Sequence, residues 1–400
     1  MKIIVATIGS RGDVQPHIAL CQGLLKAGHD TSLATNPTLC PLAEQYSVKS
    51  LPVGPAVDMG LEGTRLMEQS FNNMTIGLVR VMQLGARLVE QAYPDVLRVC
   101  QDADLVIVSD TGSGIAEAEK LGIPWISVTL QPGRVPVENA RLSPVTKMIW
   151  AVLGKLMILP VNRFRKRVGA PPATDIASMQ SKRMLILPVS RYVAPPDPGW
   201  PGYVRQTNYW YAQTLENWSP PHNLLEFLEA GEKPLAVSLG VMGLYGKRAA
   251  ESAGIIRKAI DECGVRAILQ GWETQRETPR SESVYFAGSL PHSWLFERVS
   301  AVVHHGGFGT TAAVLRAGVP EIVIPHVIDQ FYWAKQVVGL GVGPKYIPRG
   351  KLNVTNLSEA IMRTRQDEGM REKASELGRK IRSDEDGVET AVRLVEAVLS

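Results

Sequence analysis

This 400-residue chain lacks several features, and each absence removes a class of protein. Its four cysteines, Cys21, Cys40, Cys100 and Cys263, are scattered without a CxxC or a Cys/His cluster, so neither a disulfide framework nor a zinc site is implied. There is no large excess of one charge: 43 Lys and Arg stand against 39 Asp and Glu, a net charge of +4. A balance that close carries no electrostatic footprint for nucleic acid. No apolar run reaches the ~20 residues of a membrane span. Met1 leads directly into Lys2-Ile3-Ile4-Val5-Ala6-Thr7-Ile8, without a signal-peptide pattern, so a cytoplasmic protein is expected. Internal repeats and low-complexity tracts are also lacking.

The composition present, 45% hydrophobic and 20% charged, supports large cores and fits two α/β domains. Strand-like and helix-like stretches alternate, as parallel sheets require. Strands are expected at Lys2 to Ile8, Thr31 to Ala34, Asp104 to Ser109, Trp125 to Thr129, Met184 to Leu187, Leu235 to Leu239, Arg266 to Gln270, Ala301 to His304 and Glu321 to Ile324. Between Ala194 and Pro221 the prolines of Pro195-Pro196-Asp197-Pro198-Gly199, Trp200-Pro201-Gly202 and Ser219-Pro220-Pro221 disfavour helix and stiffen the chain. The expected domain boundary lies there, near residue 215, giving domains 1–215 and 216–400.

The most informative stretch is His304-His305-Gly306-Gly307-Phe308-Gly309-Thr310-Thr311, followed by Gly318-Val319-Pro320, an apolar run to Pro325, and Asp329-Gln330. It reads as strand, glycine loop, helix, strand and polar tip. Bare backbone at a helix start presents unpaired N–H groups and the positive end of the helix dipole, which attract a pyrophosphate without a metal.

A second glycine loop, Gly9-Ser10-Arg11-Gly12-Asp13-Val14-Gln15-Pro16-His17, follows the first strand. It does not fit G-x-G-x-x-G, and the next strand ends at Ala34-Thr35-Asn36 without the acid that would hold a nicotinamide ribose, which argues against a dinucleotide oxidoreductase. Asp13 is either a general base or the cap of a helix beginning near Val14. His17, four residues on, shares a helical face with Asp13, so a carboxylate–imidazole pair is one reading and an ordinary buried histidine the other.

Together these motifs resemble the nucleotide-sugar-dependent glycosyltransferases of family 1, in particular bacterial natural-product and glycopeptide-type enzymes, rhamnosyltransferases and sterol glucosyltransferases. Supporting matches are Gly288-Ser289-Leu290-Pro291-His292, Arg316-Ala317-Gly318-Val319-Pro320 and Leu340-Gly341-Val342-Gly343-Pro344. The resemblance implies a GT-B architecture, two Rossmann-like domains with parallel sheets facing across a cleft. The first would bind the acceptor and the second the nucleotide sugar. A last helix over 386–399 would cross back to the first.

Carried over by position, the donor site comprises Ser10, Arg11, Gly12, Ser238, Gly240, Val241, Ser289, Leu290, His292, His305, Gly306, Gly307, Gly309, Thr310, Asp329 and Gln330. His305 and the glycine backbone would meet the diphosphate, and Asp329-Gln330 the sugar hydroxyls. The catalytic set is Asp13, His17 and Asp110, with inversion at the anomeric carbon. No metal or further cofactor is implied, the nucleotide sugar being a co-substrate. Ser289 and Ala313 stand where plant relatives carry a base-stacking tryptophan and a ribose-binding glutamate, which leaves uridine (as UDP-glucose) and thymidine donors both open.

The implied acceptor is a hydroxyl on a lipophilic natural product, sterol or glycolipid precursor. Met59, Met67, Met74 and Met82 suit either an adaptable apolar pocket or plain core. Residues 148–159 with Arg163, Arg165, Lys166 and Arg167 read either as a membrane-surface contact or as a buried helix with a solvated basic end. Two rival functions remain, a non-catalytic auxiliary protein of the same fold and a GT-B nucleotide-sugar epimerase.

Overall fold

The computed structural model describes residues 1–69, 74–138, 158–175, 177–213, 218–240, 243, 247–272 and 282–399. Two compact units divide them. The first comprises Met1–Met59, Asn72–Gln213 and Glu385–Ser400; the second comprises Gly60–Phe71 and Thr214–Asp384.

The first unit is built on seven strands: β1 Lys2–Thr7, β2 Asp30–Thr35, β3 Ser50–Pro52, β4 Leu105–Val108, β5 Trp125–Val128, β6 Leu185–Pro188 and β7 Val204–Thr207. All pair in parallel, in the order β3-β2-β1-β4-β5-β6-β7. The middle strands β1 and β4 are buried almost throughout, because helices cover both faces and leave no side for polar residues. On one face Ile4, Ala6, Val106 and Val108 meet Leu88, Ala92 and Val96 of the long helix Met74–Cys100.

The second unit carries β8 Leu235–Ser238, β9 Ala267–Gln270, β10 Val284–Ala287, β11 Ala301–His304 and β12 Glu321–Val323 in the order β10-β9-β8-β11-β12, again all parallel. Its core sets Val237, Leu269, Val303 and Ile322 against Ile256 and Ile260 of the helix Lys247–Cys263 and Leu357 and Ile361 of the helix Val354–Gln366. In each sheet the strand order reverses once, between β1 and β4 and between β8 and β11. Ligands of open parallel sheets bind beyond the carboxyl ends of the strands at such reversals.

Three strands escape sequence reasoning: β3, β7 and β10. All lie at sheet edges; in β3 and β7 burial is partial and the apolar signature weak, whereas β10 is apolar and mostly buried. β3 ends on Pro52, which an edge tolerates, and β7 has an exposed Arg205. The proline-rich stretch is therefore not simply a linker. It holds β7 and a buried Trp210, whose Nε1 donates to Thr207 Oγ1 at 3.1 Å and to Gly387 O at 2.9 Å.

That second bond ties the last helix, Gly387–Leu399, to the first unit. The helix packs on the first helix, Arg11–Lys26, so closely that a Cβ at Gly23 would lie 2.4 Å from Val388 Cγ1. Ala391, Val392 and Val395 form its buried stripe. Among the described residues no helix is long and apolar enough to cross a membrane.

Candidate functional site

Each sheet reversal carries a glycine loop, and in each loop at least one glycine is dictated by a neighbouring polar side chain, Asp13 at Gly9 and His305 at Gly240 and Gly307. In the first unit β1 ends at Thr7 and the helix begins at Arg11, with Ser10 as its N-cap. The Asp13 carboxylate folds back over the loop and accepts two hydrogen bonds on Oδ2, from Ser10 N–H and Ser10 Oγ–H, both 2.8 Å. A Cβ at Gly9 would stand 2.5 Å from that oxygen. Gly9 is thus required by the carboxylate. Of the two readings of Asp13, the N-cap position itself goes to Ser10, whose side chain makes no cap hydrogen bond, and Asp13 reaches back from the third helical position as the acidic half of a capping box. Oδ1 carries neither of these bonds.

His17 does not pair with that carboxylate. Its Nδ1 donates to the Asp13 backbone carbonyl at 2.7 Å, the ring is buried with its edge toward Trp210, and Nε2 has no partner. Burial holds the imidazole below its ordinary pKa, so it stays neutral. Its placement is that of a core residue behind the loop.

Asp110, just past β4, braces the chain after β5: Oδ2 accepts from Thr129 Oγ–H at 2.9 Å and from Leu130 N–H at 3.1 Å, and Arg134 lies 3.5 Å from Oδ1. Burial raises its pKa, against the pull of Arg134 and those hydrogen bonds, and the Asp13 charge pushes in the same upward direction. The two carboxylates therefore share one reversal. Arg11 and Gly12 are exposed beside them.

In the second unit, β8 leads into Ser238-Leu239-Gly240 and β11 into the histidine pair. The His305 ring lies between two glycines: a Cβ at Gly240 would be 2.9 Å from Cε1, and one at Gly307 2.4 Å from Nε2. Burial, reinforced by His304, lowers His305 to about 4. Near neutral pH it is an uncharged imidazole, able to donate one hydrogen bond.

Gly307 is the N-cap of the helix Phe308–Ala317 and supplies no side-chain cap, and the N–H groups at Gly309 and Thr310 fall in the first turn, where a helix offers no acceptor of its own. At exposed Gly309 a Cβ would meet nothing within 4 Å. The protein itself does not demand that glycine. The Gly306 N–H is donated inward to His304 Nδ1 at 3.1 Å.

Asp329 and Gln330 open the helix Ile328–Leu340 behind the N-cap Val327. Gln330 Oε1 accepts from His326 N–H at 2.7 Å and Val327 N–H at 3.3 Å. Gln330 is thus itself a capping group, with only its amide N–H groups left to donate. Asp329 sits in the first turn and is not the cap.

Ser238 Oγ lies 3.4 Å from His292 Nε2, and that ring stacks on Phe296 at 4.5 Å. Ser289 is exposed, whereas the Leu290 side chain is buried in the core and its carbonyl accepts from Gln270 Nε2 at 2.8 Å, which leaves Leu290 no side-chain surface for a ligand. Val241 lies outside the described residues, as does most of the 148–159 stretch. Of the basic residues after that stretch, Arg165 is buried in an ion pair with Glu119, and Arg167 pairs with Glu90. Neither is a free membrane-facing charge. Met59 packs into the core and Met82 is exposed.

Sequence reasoning missed His304, Glu321 and His326. His304 and Glu321 are fully buried and bonded to each other at 2.8 Å. His326 faces His305 at a ring-centroid distance of 6.3 Å, and burial lowers its pKa. A polar residue inside an otherwise apolar strand, as Glu321 is, is the signal that could have found the pair. Among the described residues no group of three or more His, Cys, Asp or Glu is placed to hold a metal ion.

Two parallel-sheet units, each with its loops at a strand-order reversal, define a GT-B fold. Solved structures agree: the glycosyltransferase of kitacinnamycin superposes with a TM-score of 0.75 at 19% identity, covering 100% of this chain and 99% of the other. The Streptomyces sp. SF2575 glycosyltransferase SsfS6, complexed with thymidine diphosphate, gives 0.68 at 21% identity, covering 99% of each chain.

Residues 3–136 match the glycosyltransferase family 28 N-terminal domain, and residues 270–397 the erythromycin biosynthesis protein CIII-like C-terminal domain. Sterol 3-beta-glucosyltransferases of Emericella nidulans and Komagataella phaffii are 34% and 33% identical over 99% and 98% of this chain, which spans only 30% and 34% of their length. The chain belongs to the family 1 GT-B glycosyltransferases.

Proposed function

We propose that this protein transfers a hexose, with inversion, from a nucleoside-diphosphate sugar to a hydroxyl of a lipophilic acceptor. The observation that carries the reading is the loop at the β8/β11 reversal, where the start of the helix Phe308–Ala317, the bare exposed Gly309 and neutral His305 adjoin the Asp329-Gln330 turn. A leaving diphosphate gains negative charge as the glycosidic bond breaks, and fixed N–H dipoles with an uncharged donor stabilise it at no reorganisation cost. In this reading the diphosphate charge is met by protein dipoles, with no metal or further cofactor. Asp329 and the Gln330 amide hold the sugar hydroxyls. Asp13 Oδ1 takes the acceptor's proton as the new bond forms.

The names of the relatives favour glucose as sugar and a sterol as acceptor, and the thymidine diphosphate complex of one structural neighbour keeps a thymidine donor in view. A mass-spectrometric screen of UDP-glucose and TDP-glucose against sterol, macrolide, flavonoid and hydroxy-fatty-acid acceptors tests the reading. A glycosylated acceptor is expected. Consumption of the donor without any acceptor product would instead support an epimerase, and no turnover with any pair an auxiliary protein.

A further inference from the structure

His304 and Glu321 are the anomaly of the second unit, two ionisable side chains with no exposed surface in the middle of a parallel sheet. Apolar residues would be cheaper to bury. What an apolar pair cannot do is accept a backbone N–H. The register of β11 and β12 sets Val302 opposite Glu321 and His304 opposite Val323, so the two side chains are diagonal neighbours on one face.

Gly306 N–H points at His304 Nδ1 (3.1 Å), which fixes that nitrogen as an acceptor and leaves the ring proton on Nε2. Nε2–H is then donated to Glu321 Oε2 at 2.8 Å. Burial drives both groups toward neutrality, His304 down to about 3 and Glu321 well above the usual carboxylate range. The chain therefore runs from a carboxyl on β12, through an imidazole on β11, to the backbone of the glycine loop.

Gly306 is the point on which the loop turns. Its φ is +86°, and a Cβ would meet Val323 Cγ1 at 2.8 Å and the Gln330 carbonyl at 3.0 Å, so the loop is pressed onto the residue that holds the sugar. Two residues on, Phe308 contacts Trp333 of the same helix as Gln330, ring centroids 5.6 Å apart. If the imidazole proton moved to Nδ1 it would oppose the Gly306 N–H and push the loop off this seat.

We propose that His304 and Glu321 are a positioning pair that locks the glycine loop against the Asp329-Gln330 turn, so that the diphosphate and the sugar of one donor are held in a single register. The proposal rests on the donor-binding reading of the loop. Glu321→Gln keeps an oxygen for Nε2–H, whereas Glu321→Leu removes it and frees the tautomer. Calorimetry with uridine diphosphate and thymidine diphosphate, beside thermal melts and acceptor KM, separates positioning from bulk stability.

Expected are wild-type affinity within about twofold for Glu321→Gln, a loss of about tenfold for Glu321→Leu, a rise in donor KM larger than the fall in kcat, and an unchanged acceptor KM. A folded Glu321→Leu protein with wild-type nucleotide affinity would overturn the pair's role. A wild-type protein that binds neither nucleotide would overturn the donor reading beneath it.

Should Glu321→Leu not fold, histidine-selective 15N NMR of the wild type decides. A neutral Nε2–H tautomer at His304, with its resonances moving on addition of uridine diphosphate, supports the pair. An Nδ1–H tautomer, or resonances indifferent to the nucleotide, refutes it.

Discussion

In the proposed reaction the Asp13 carboxylate serves two purposes through different oxygens. Oδ2 closes the helix start and Oδ1 would take the acceptor's proton, so the substitution that isolates catalysis is Asp13→Asn, whose amide oxygen still accepts the Ser10 N–H. We expect kcat to fall by about 10²–10⁴-fold with nucleotide affinity within about twofold; steady-state kinetics with calorimetry checks this, and unchanged turnover removes Asp13 from the chemistry. Gly309 gives the complementary experiment. Gly309→Ala has room for its methyl group and gains helix propensity of up to about 1 kcal/mol, so the melting temperature should hold or rise while nucleotide affinity falls. Equal affinity would show that no ligand approaches that backbone. Asp13 and His305 stand out in the sequence because each sits in a short glycine context, and the structure places each against the glycines of its own loop. The capping role of Gln330 was not legible, since an amide reads the same whether it bonds a sugar or its own backbone.

Among the elements, the strands that sequence pattern missed all lie at sheet edges, and in β3 and β7 apolar content fades there; the edge strand β12 was found because it is buried throughout. The first helix starts at Arg11, earlier than the Val14 expected. Asp13, Asp329 and Gln330 all sit within first turns, and a side chain three residues inside a helix can satisfy the terminus as well as the residue before it.

The helix Ile115–Leu121 has the same device in Glu117, which accepts the Gly114 N–H at 3.0 Å while fully enclosed. Burial, opposed by that hydrogen bond and by Arg165, raises Glu117 to about 7. Because the folded pKa is the higher one, its contribution to stability is complete below about pH 4.5 and is lost as pH rises to about 7. The loss is on the order of 3 kcal/mol. Glu117→Gln should flatten this part of the profile, so that urea midpoints at pH 5 and pH 7.5 lie closer together than in the wild type; an identical separation in both proteins contradicts the assignment.

At the scale of the molecule, the division into two parallel-sheet units was readable from the alternation of strands and helices, whereas the grouping of residues 60–71 with the second unit was not. That segment has no compositional mark to betray which core it joins. The final helix packs on the first unit through Gly23 and Gly387, two positions where any side chain would collide. Gly23→Leu should therefore loosen that helix, with a lower melting temperature and faster amide exchange over 387–399 as the readout. Unaltered exchange there would argue against the close approach.

The central claim, inverting transfer driven by a base at one reversal and a diphosphate cradle at the other, is tested most directly by the stereochemistry of the product. Incubating the protein with UDP-α-glucose and a 3-hydroxysterol and reading the anomeric proton coupling by NMR should show a β-glucoside, absent with Asp13→Asn. An α-glucoside, or a β-glucoside formed equally well by Asp13→Asn, would contradict it.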